Sequence, residues 1–209
     1  HDGINSKARE LIKLAQSSGV HAVKFQYRNL ENAYSSQAKE IGDEILSKEI
    51  NRSYLSPDEL LELSIFAKNL NLEVGISFFD EKDTLDFGTD IKVFDFFKIP
   101  SVELTNSSLI DSLMKLNRHV YISLGAHDEK EIDLALSQLS NKGCWTPMHC
   151  ISNYPVNLQN SNLGYISYLK EKWQRNVGYS SHDNDWEVCL LAMQLGVTVI
   201  ERHITLDRN

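Results

Sequence analysis

Two lysines and two histidines stand where short apolar runs end. Lys24 lies in Val23-Lys24-Phe25-Gln26 and Lys98 in Phe97-Lys98-Ile99; His182 follows Tyr179-Ser180-Ser181, and His203 follows Ile200-Glu201-Arg202. An ammonium is a compact point charge suited to phosphate or carboxylate. Imidazoles suit Zn, Mn or Fe, and two from adjacent elements can share one ion while leaving positions open for substrate. Comparable run ends carry Gln26, Ser77, Ser101, Glu103, Ser123, Ser152, Asn153, Tyr154 and Ser180. Their hydroxyls and amides make a nest for a small anion. Glu103 offers a third metal ligand or an acceptor for a sugar hydroxyl.

Each residue also has a plainer reading. Lys24 and Lys98 can snorkel at a rim. His182 and His203 can be hydrogen-bonded structural histidines. Tyr154, before Pro155, can shape a turn. Glu201 and Arg202 can form an internal ion pair. His21, His119 and His127 fall at strand starts or in a helix-start loop, and are assigned to solvent or to packing at the opposite end. Cys144, Cys150 and Cys189 lack a CxxC spacing and read as reduced thiols, best taken as buried small hydrophobes.

The elements that would position these groups alternate along the chain. A helix carries Ala8, Leu11, Ile12 and Ala15 on one face, with Asn5-Ser6 as its cap and Gly19 at its end. Ser56-Pro57-Asp58-Glu59 is a strong helix start, with Ser at the N-cap, Pro at N1 and Glu at N3. Strands are expected over Ala22–Phe25, Val74–Phe78, Val93–Ile99, Val120–Ser123, Trp145–His149, Val177–Ser180 and Val197–Glu201. Helices are expected over 81–87, 106–116, 128–139, 163–173 and 185–195. Residues 27–55 form a long polar connection of the kind usually functional or mobile.

Seven strands alternating with amphipathic helices imply parallel βαβ units and an α/β fold. That is one strand short of a (β/α)₈ barrel, in which chemistry sits at the C-terminal strand ends. The expectation is a single TIM-barrel domain over 1–209, lacking strand one and helix eight, and therefore a fragment of a longer protein. An open doubly wound sheet competes, but no GxGxxG follows any strand.

Composition narrows the function classes. The 209 residues carry a formal charge of −8, against the basic surface of a nucleic-acid binder. No apolar run of about eighteen residues occurs, so no transmembrane helix is expected. The start, His1-Asp2-Gly3-Ile4, has no basic segment leading into an apolar one, so a cytoplasmic protein is expected.

In their order along the chain, these run ends resemble the N-acetylneuraminate (sialic acid) synthase family, which includes legionaminic and pseudaminic acid synthases. The matching pieces are His1-Asp2-Gly3, Val23-Lys24-Phe25-Gln26, Lys98-Ile99-Pro100-Ser101-Val102-Glu103 and Ile122-Ser123-Leu124-Gly125. They continue with His149-Cys150-Ile151-Ser152-Asn153-Tyr154-Pro155, Val177-Gly178-Tyr179-Ser180-Ser181-His182-Asp183 and Val199-Ile200-Glu201-Arg202-His203-Ile204-Thr205-Leu206-Asp207. Each piece is weak alone; their ordered combination is specific.

The resemblance implies a barrel that condenses phosphoenolpyruvate with an N-acetylmannosamine-type aldehyde and releases phosphate, in cell-surface carbohydrate biosynthesis. It implies Mn²⁺ or Mg²⁺ between His182 and His203. Lys24 and Lys98 would hold phosphoenolpyruvate, with Ser101, Ser123, Ser152, Tyr154 and Ser180 lining the same pocket and Gln26 and Glu103 near the sugar. It also implies a homodimeric parent with a C-terminal antifreeze-like domain, so the fragment alone is expected to be weak or inactive.

The chain departs from the family pattern at several points. The Asn of Asn-His-x-Gly and the first-strand Glu are missing, Ser181 stands where many members have Asp, and Ser77-Phe78-Phe79 replaces Ser-Thr-Pro-Phe. Ser152 holds the place of the Asn in Cys-Thr-Asn-x-Tyr, with Asn153 next to it. Two alternatives stay open. One is a sister 3-deoxy-ulosonic acid phosphate synthase, using Arg28, Lys39, Lys48 or Arg52 for a sugar phosphate. The other is a degenerate barrel that binds a sugar without turnover. A metal-dependent hydrolase is disfavoured, because no His-x-His strand end occurs.

Overall fold

The computed structural model describes residues 1–29, 51–139 and 142–207. Most of the 27–55 connection, with Lys39 and Lys48, lies outside the described residues. The chain divides into two compact units, His1–Phe97 with Ile204–Asn209, and Lys98–His203.

The first unit begins with α1 (Asn5–Ser17), which buries Ala8, Ile12 and Ala15 as its period demands. Its N-cap position is Ile4, with no side-chain cap bond, so the expected Asn5-Ser6 cap is corrected. Asn5 instead accepts a hydrogen bond from Arg9 Nε at 3.0 Å. β1 (Ala22–Gln26) follows and pairs in parallel with β2 (Glu73–Ser77), setting Lys24 opposite Gly75 and Gln26 opposite Ser77. Between them runs α2 (Pro57–Asn69). Its start is the expected capping box: the Ser56 side chain accepts from the Glu59 N–H, and the Glu59 carboxylate accepts from the Ser56 N–H. Such a box satisfies two donors that a helix start leaves without partners. Leu60, Leu63 and Ala67 bury completely, each Leu contributing about 1.5–3 kcal/mol.

The helix expected at 81–87 is a 3₁₀ segment over Glu81–Val93, broken at Gly88, where φ is 49°. The kink lets Phe87 and Ile91 both reach the core. Val93 therefore ends that segment, and β3 is shorter than expected, Phe96–Ile99. The boundary between the two units falls inside β3.

In the second unit a 3₁₀ turn (Ser101–Glu103) leads into α3 (Ser107–Met114), whose cap is Asn106, its side chain accepting the Leu109 N–H. β4 (His119–Ser123), α4 (Glu129–Ser137), β5 (Trp145–Cys150), α5 (Gly164–Trp173), β6 (Gly178–Ser181), α6 (Glu187–Gln194) and β7 (Val199–Arg202) complete it. Asp128 caps α4 with a second capping box closed by Glu131. β4 to β7 pair in parallel and in chain order. The order shows no reversal within this unit, where a doubly wound sheet would need one. No helix among the described residues is long and apolar enough to cross a membrane.

Strand alternation decides which strand-end residues face one another. His149 takes the outer face of β5: it is buried, stacks on Tyr179 with centroids 5.6 Å apart, and its Nε2 lies 2.8 Å from the Ser161 carbonyl. Cys150, the next and last residue of β5, takes the other face. Burial holds the His149 pKa below its ordinary 6.5. Below pH 6.5 the unfolded chain therefore takes up a proton that folded His149 resists, so stability rises with pH across that window and is lost as pH falls. Acid titration of the midpoint of urea unfolding is expected to show this loss setting in below pH 6.5, and a His149→Phe variant should show less of it.

Candidate active site

Within each unit the parallel pairing brings the C-terminal residues of neighbouring strands to one end. In the first unit Lys24 Nζ donates to Ser77 Oγ at 2.8 Å across the β1–β2 pair. Gln26 lies two residues beyond Lys24, hence on the same strand face, and is exposed.

In the second unit Lys98 is buried, with 5% of its surface exposed. Its Nζ donates to Ser123 Oγ at 2.7 Å and pairs with Glu201 Oε2 at 2.9 Å. Glu201 Oε2 also accepts from Ser180 Oγ at 3.0 Å. Glu201 therefore pairs with Lys98 and not with Arg202. The Arg202 guanidinium goes to the carbonyls of Asp183 (2.6 Å) and Asp185 (3.2 Å). The rim-snorkelling reading of Lys98 fails with it: the ammonium is held inside by a carboxylate and a hydroxyl. With one Nζ donor given to Ser123 and one to Glu201, the ammonium retains donor capacity for a further anion.

Ser101 and Ser152 are brought together by the backbone at Gly125. Ser101 Oγ accepts the Gly125 N–H at 3.1 Å. A Cβ on residue 125 would stand 2.5 Å from Ser152 Oγ and 2.9 Å from Ser101 Oγ, so only glycine fits. Gly125→Ala is expected to displace both hydroxyls by a few tenths of an ångström or more and to lower kcat/KM about 10²-fold, as small misplacements do. Steady-state kinetics beside an unchanged far-UV CD spectrum checks this. Ser152 and Asn153 also line a cavity of about 470 Å³ with Gly125, His127 and Cys150.

His127 was not expected here. It lies at the start of α4, and its Nε2 is 2.8 Å from the Ser101 carbonyl, with Nδ1 3.0 Å from Glu131. It ties the Ser101 turn to α4 and does not face solvent or the opposite end. Glu103, in the same turn, accepts from Asn106 Nδ2 at 2.9 Å and is thereby fixed to the cap of α3.

His182 and His203 meet, with ring centroids 5.3 Å apart. Tyr154 packs on both, 4.0 Å from the His182 ring and 5.9 Å from the His203 ring, so it does more than shape a turn. His182 Nδ1 lies 2.9 Å from the Ile151 carbonyl, which can only accept. Nδ1 therefore carries the proton, and Nε2 keeps its lone pair for a ligand, the usual arrangement of a metal-binding histidine. Burial alone would lower the His182 pKa, but its contacts to Cys150 and the Ile151 carbonyl raise it overall. The Cys150 thiol behaves conversely: burial would raise it, while His182, Ser101 and Lys98 draw it below its ordinary value. Cys150 thus belongs to the polar cluster and is not a plain hydrophobe. Cys189 is buried as expected, whereas Cys144 is exposed.

Ser181 donates to Asp183 Oδ2 at 2.8 Å. The carboxylate beside His182 thus stands one residue after the histidine, not one before. Two imidazoles with one Nδ1 committed fit a divalent ion held by two nitrogens and otherwise open. Among the described residues no third His, Cys, Asp or Glu completes a ligand group with them.

Glu201 could have been found in the sequence, because it lies two residues before His203, as Ser180 lies two before His182. A strand period of two puts each pair on one face. His127 carried no such signal, since its partner in the Ser101 turn is a backbone carbonyl and its other partner, Glu131, lies on its own helix.

The description "NeuB family" matches residues 11–209. An N,N'-diacetyllegionaminic acid synthase of Campylobacter jejuni is 33% identical over all of this chain and 66% of its own length. An N-acetylneuraminate-9-phosphate synthase of Drosophila melanogaster is 31% identical over all of this chain and 58% of its own length. The crystal structure of an N-acetylneuraminic acid synthetase from Leptospira borgpetersenii, in complex with citrate, superposes with a TM-score of 0.89 at 28% identity, covering 100% of this chain and 70% of that one. The chain thus spans about three-fifths of the length of curated relatives such as these. With the family matched over residues 11–209, the chain belongs to the NeuB family.

Proposed function

We propose that the protein condenses phosphoenolpyruvate with an N-acetylmannosamine-type sugar aldehyde to a nonulosonic acid, releasing phosphate. The observation that carries the reading is the buried Lys98 ammonium, anchored by Glu201 and Ser123 beside the His182–His203 pair in the second unit. Family membership supports it. The reading takes the seven strands as part of a (β/α)₈ barrel and the protein as a homodimer working in the cytoplasm.

In this reading Lys98 and Lys24 hold the carboxylate and phosphate of phosphoenolpyruvate, and the hydroxyls of Ser77, Ser101, Ser123, Ser152 and Ser180 supply neutral donors. Fixed donors of this kind need no reorganisation when charge moves. Carbon three of phosphoenolpyruvate attacks the aldehyde carbon; water then attacks carbon two, and phosphate leaves by C–O cleavage. Tyr154 and Asn153 line the same pocket, and Gln26 and Glu103 lie near the sugar, Glu103 as a catalytic group. His182 and His203 would hold Mn²⁺ or Mg²⁺, which when bound supplies Lewis acidity to the aldehyde oxygen.

The test is phosphate release from phosphoenolpyruvate with Mn²⁺ and a panel of sugars. Release with N-acetylmannosamine or a close acyl variant is expected. Release only with a sugar phosphate would instead indicate the sister synthase. Saturable sugar binding with no release from any sugar would indicate a barrel without turnover.

A further inference from the structure

At the N-terminal ends of β4, β5 and β6, opposite the cluster described above, lies a second polar cavity of about 520 Å³. Its size falls within the roughly 300–1,000 Å³ typical of small-molecule sites. His119, Cys144, Thr146, Lys170 and Arg175 line it, with Trp145 as one wall.

Three of these residues form a hydrogen-bonded chain. Cys144 Sγ lies 3.0 Å from His119 Nδ1, and His119 Nε2 lies 2.9 Å from Thr146 Oγ1. With Nε2–H donating to the threonine oxygen, Nδ1 is left to accept the thiol proton. The imidazole also packs on Tyr121 at 4.5 Å, which fixes its plane. A nucleophile within hydrogen-bond reach of a base that a third group orients is the arrangement of an activated nucleophile. Burial lowers the His119 pKa, so the ring is a neutral acceptor at pH 7. Cys144 is exposed, whereas Cys150 and Cys189 are buried.

The cavity is also cationic. The Arg175 guanidinium lies 4.3 Å over the Trp145 ring, and the Lys170 ammonium caps the carbonyls of Leu195 (3.1 Å) and Gly196 (3.3 Å). No carboxylate lines it among the described residues. In a chain of net charge −8, this is a local concentration of positive charge.

We propose that Cys144 is a site of thiol–disulfide exchange with small acidic disulfides, with His119 as its base. Sγ attacks one sulfur of the disulfide as the thiol proton passes to His119 Nδ1. A new S–S bond forms to Cys144 and the old one breaks. The departing sulfur keeps the electron pair and takes the proton, leaving as a free thiol. Cys144 is oxidised to the mixed disulfide, and half of the small disulfide is reduced. Lys170 and Arg175 hold the anionic groups of the reagent.

The experiment uses glutathione disulfide as the acidic reagent and iodoacetamide as a neutral one, on the whole reduced protein at pH 7. The site of modification is read by peptide mass spectrometry over time. Cys144 is expected to react before Cys150 and Cys189, and about tenfold faster than free cysteine with either reagent. His119→Gln should remove that advantage for both reagents. Arg175→Gln should slow only the reaction with glutathione disulfide, and Arg175→Lys should restore it. A Cys144 rate no greater than that of free cysteine, measured on the unaltered protein, overturns the proposal whatever the variants do. An Arg175→Gln effect equal for the two reagents overturns the anionic preference.

Discussion

Lys98→Met is expected to lower kcat/KM for phosphoenolpyruvate by about 10²–10³-fold, as truncating one partner of a buried charge pair costs roughly 2–5 kcal/mol. The loss should appear mainly in KM if, as proposed, the ammonium binds the anion in ground and transition states alike. Stability should fall too. The substitution sets an apolar side chain against the Glu201 carboxylate in place of the ammonium, while Ser180 Oγ still donates to it. The double variant Lys98→Met with Glu201→Gln separates the two effects. It removes both charges and should recover most of the lost stability while leaving catalysis impaired. Urea unfolding and steady-state kinetics on the three variants check this. An unchanged KM in Lys98→Met would mean that the ammonium serves only to neutralise Glu201.

His203→Ala is expected to weaken Mn²⁺ binding about 10²-fold or more, since even residues that merely orient metal ligands cost 10–100-fold. Turnover should fall with it. The substitution should scarcely change folding stability: His203 is exposed, and exposed substitutions usually stay within about 0.5 kcal/mol. His182→Ala should lose the same affinity and also about 1 kcal/mol of stability, because its Nδ1 hydrogen bond to the Ile151 carbonyl goes as well. Calorimetric titration of Mn²⁺ into each variant, beside thermal unfolding, reads both quantities. Mn²⁺ affinity unchanged in either variant would return that histidine to a structural role.

The ordering of elements was legible because each carries its own local signal. Ser56-Pro57-Asp58-Glu59 and Asp128 with Glu131 mark helix starts through side chains that answer orphan backbone donors. α1 starts without such a residue, and there the position of Ile4 at the cap could not be read. The 3₁₀ segment over 81–93 was mistaken for a short helix because its kink at Gly88 depends on how Phe87 and Ile91 pack, not on the period of the segment.

The candidate site was legible as a set of residue types and less so as a set of partners. His182 with His203, Lys24 with Ser77 and Lys98 with Ser123 are contacts between neighbouring or nearby strand ends, so reading strand ends collects them. Lys98 with Glu201 joins residues a hundred positions apart, and the adjacent Arg202 offered a simpler partner in sequence. The strand expected over Trp145–His149 runs on to Cys150. A one-residue shift on a strand reverses the face, and Cys150 took the inward one. Cys144 was read as buried since free cysteines usually are; its neighbour His119 starts a different strand, and only the β4–β5 pairing brings them together.

The central claim is that the strand ends carrying Lys98, His182 and His203 form one site for an anion and a divalent ion. Its most direct test is a crystal grown with Mn²⁺ and phosphoenolpyruvate, with data collected at a wavelength where manganese scatters anomalously. A manganese peak is expected within bonding distance of both imidazoles, with a phosphoenolpyruvate anion hydrogen-bonded to Lys98. A peak away from the two histidines, or the anion bound elsewhere with Lys98 still closed on Glu201, would contradict it.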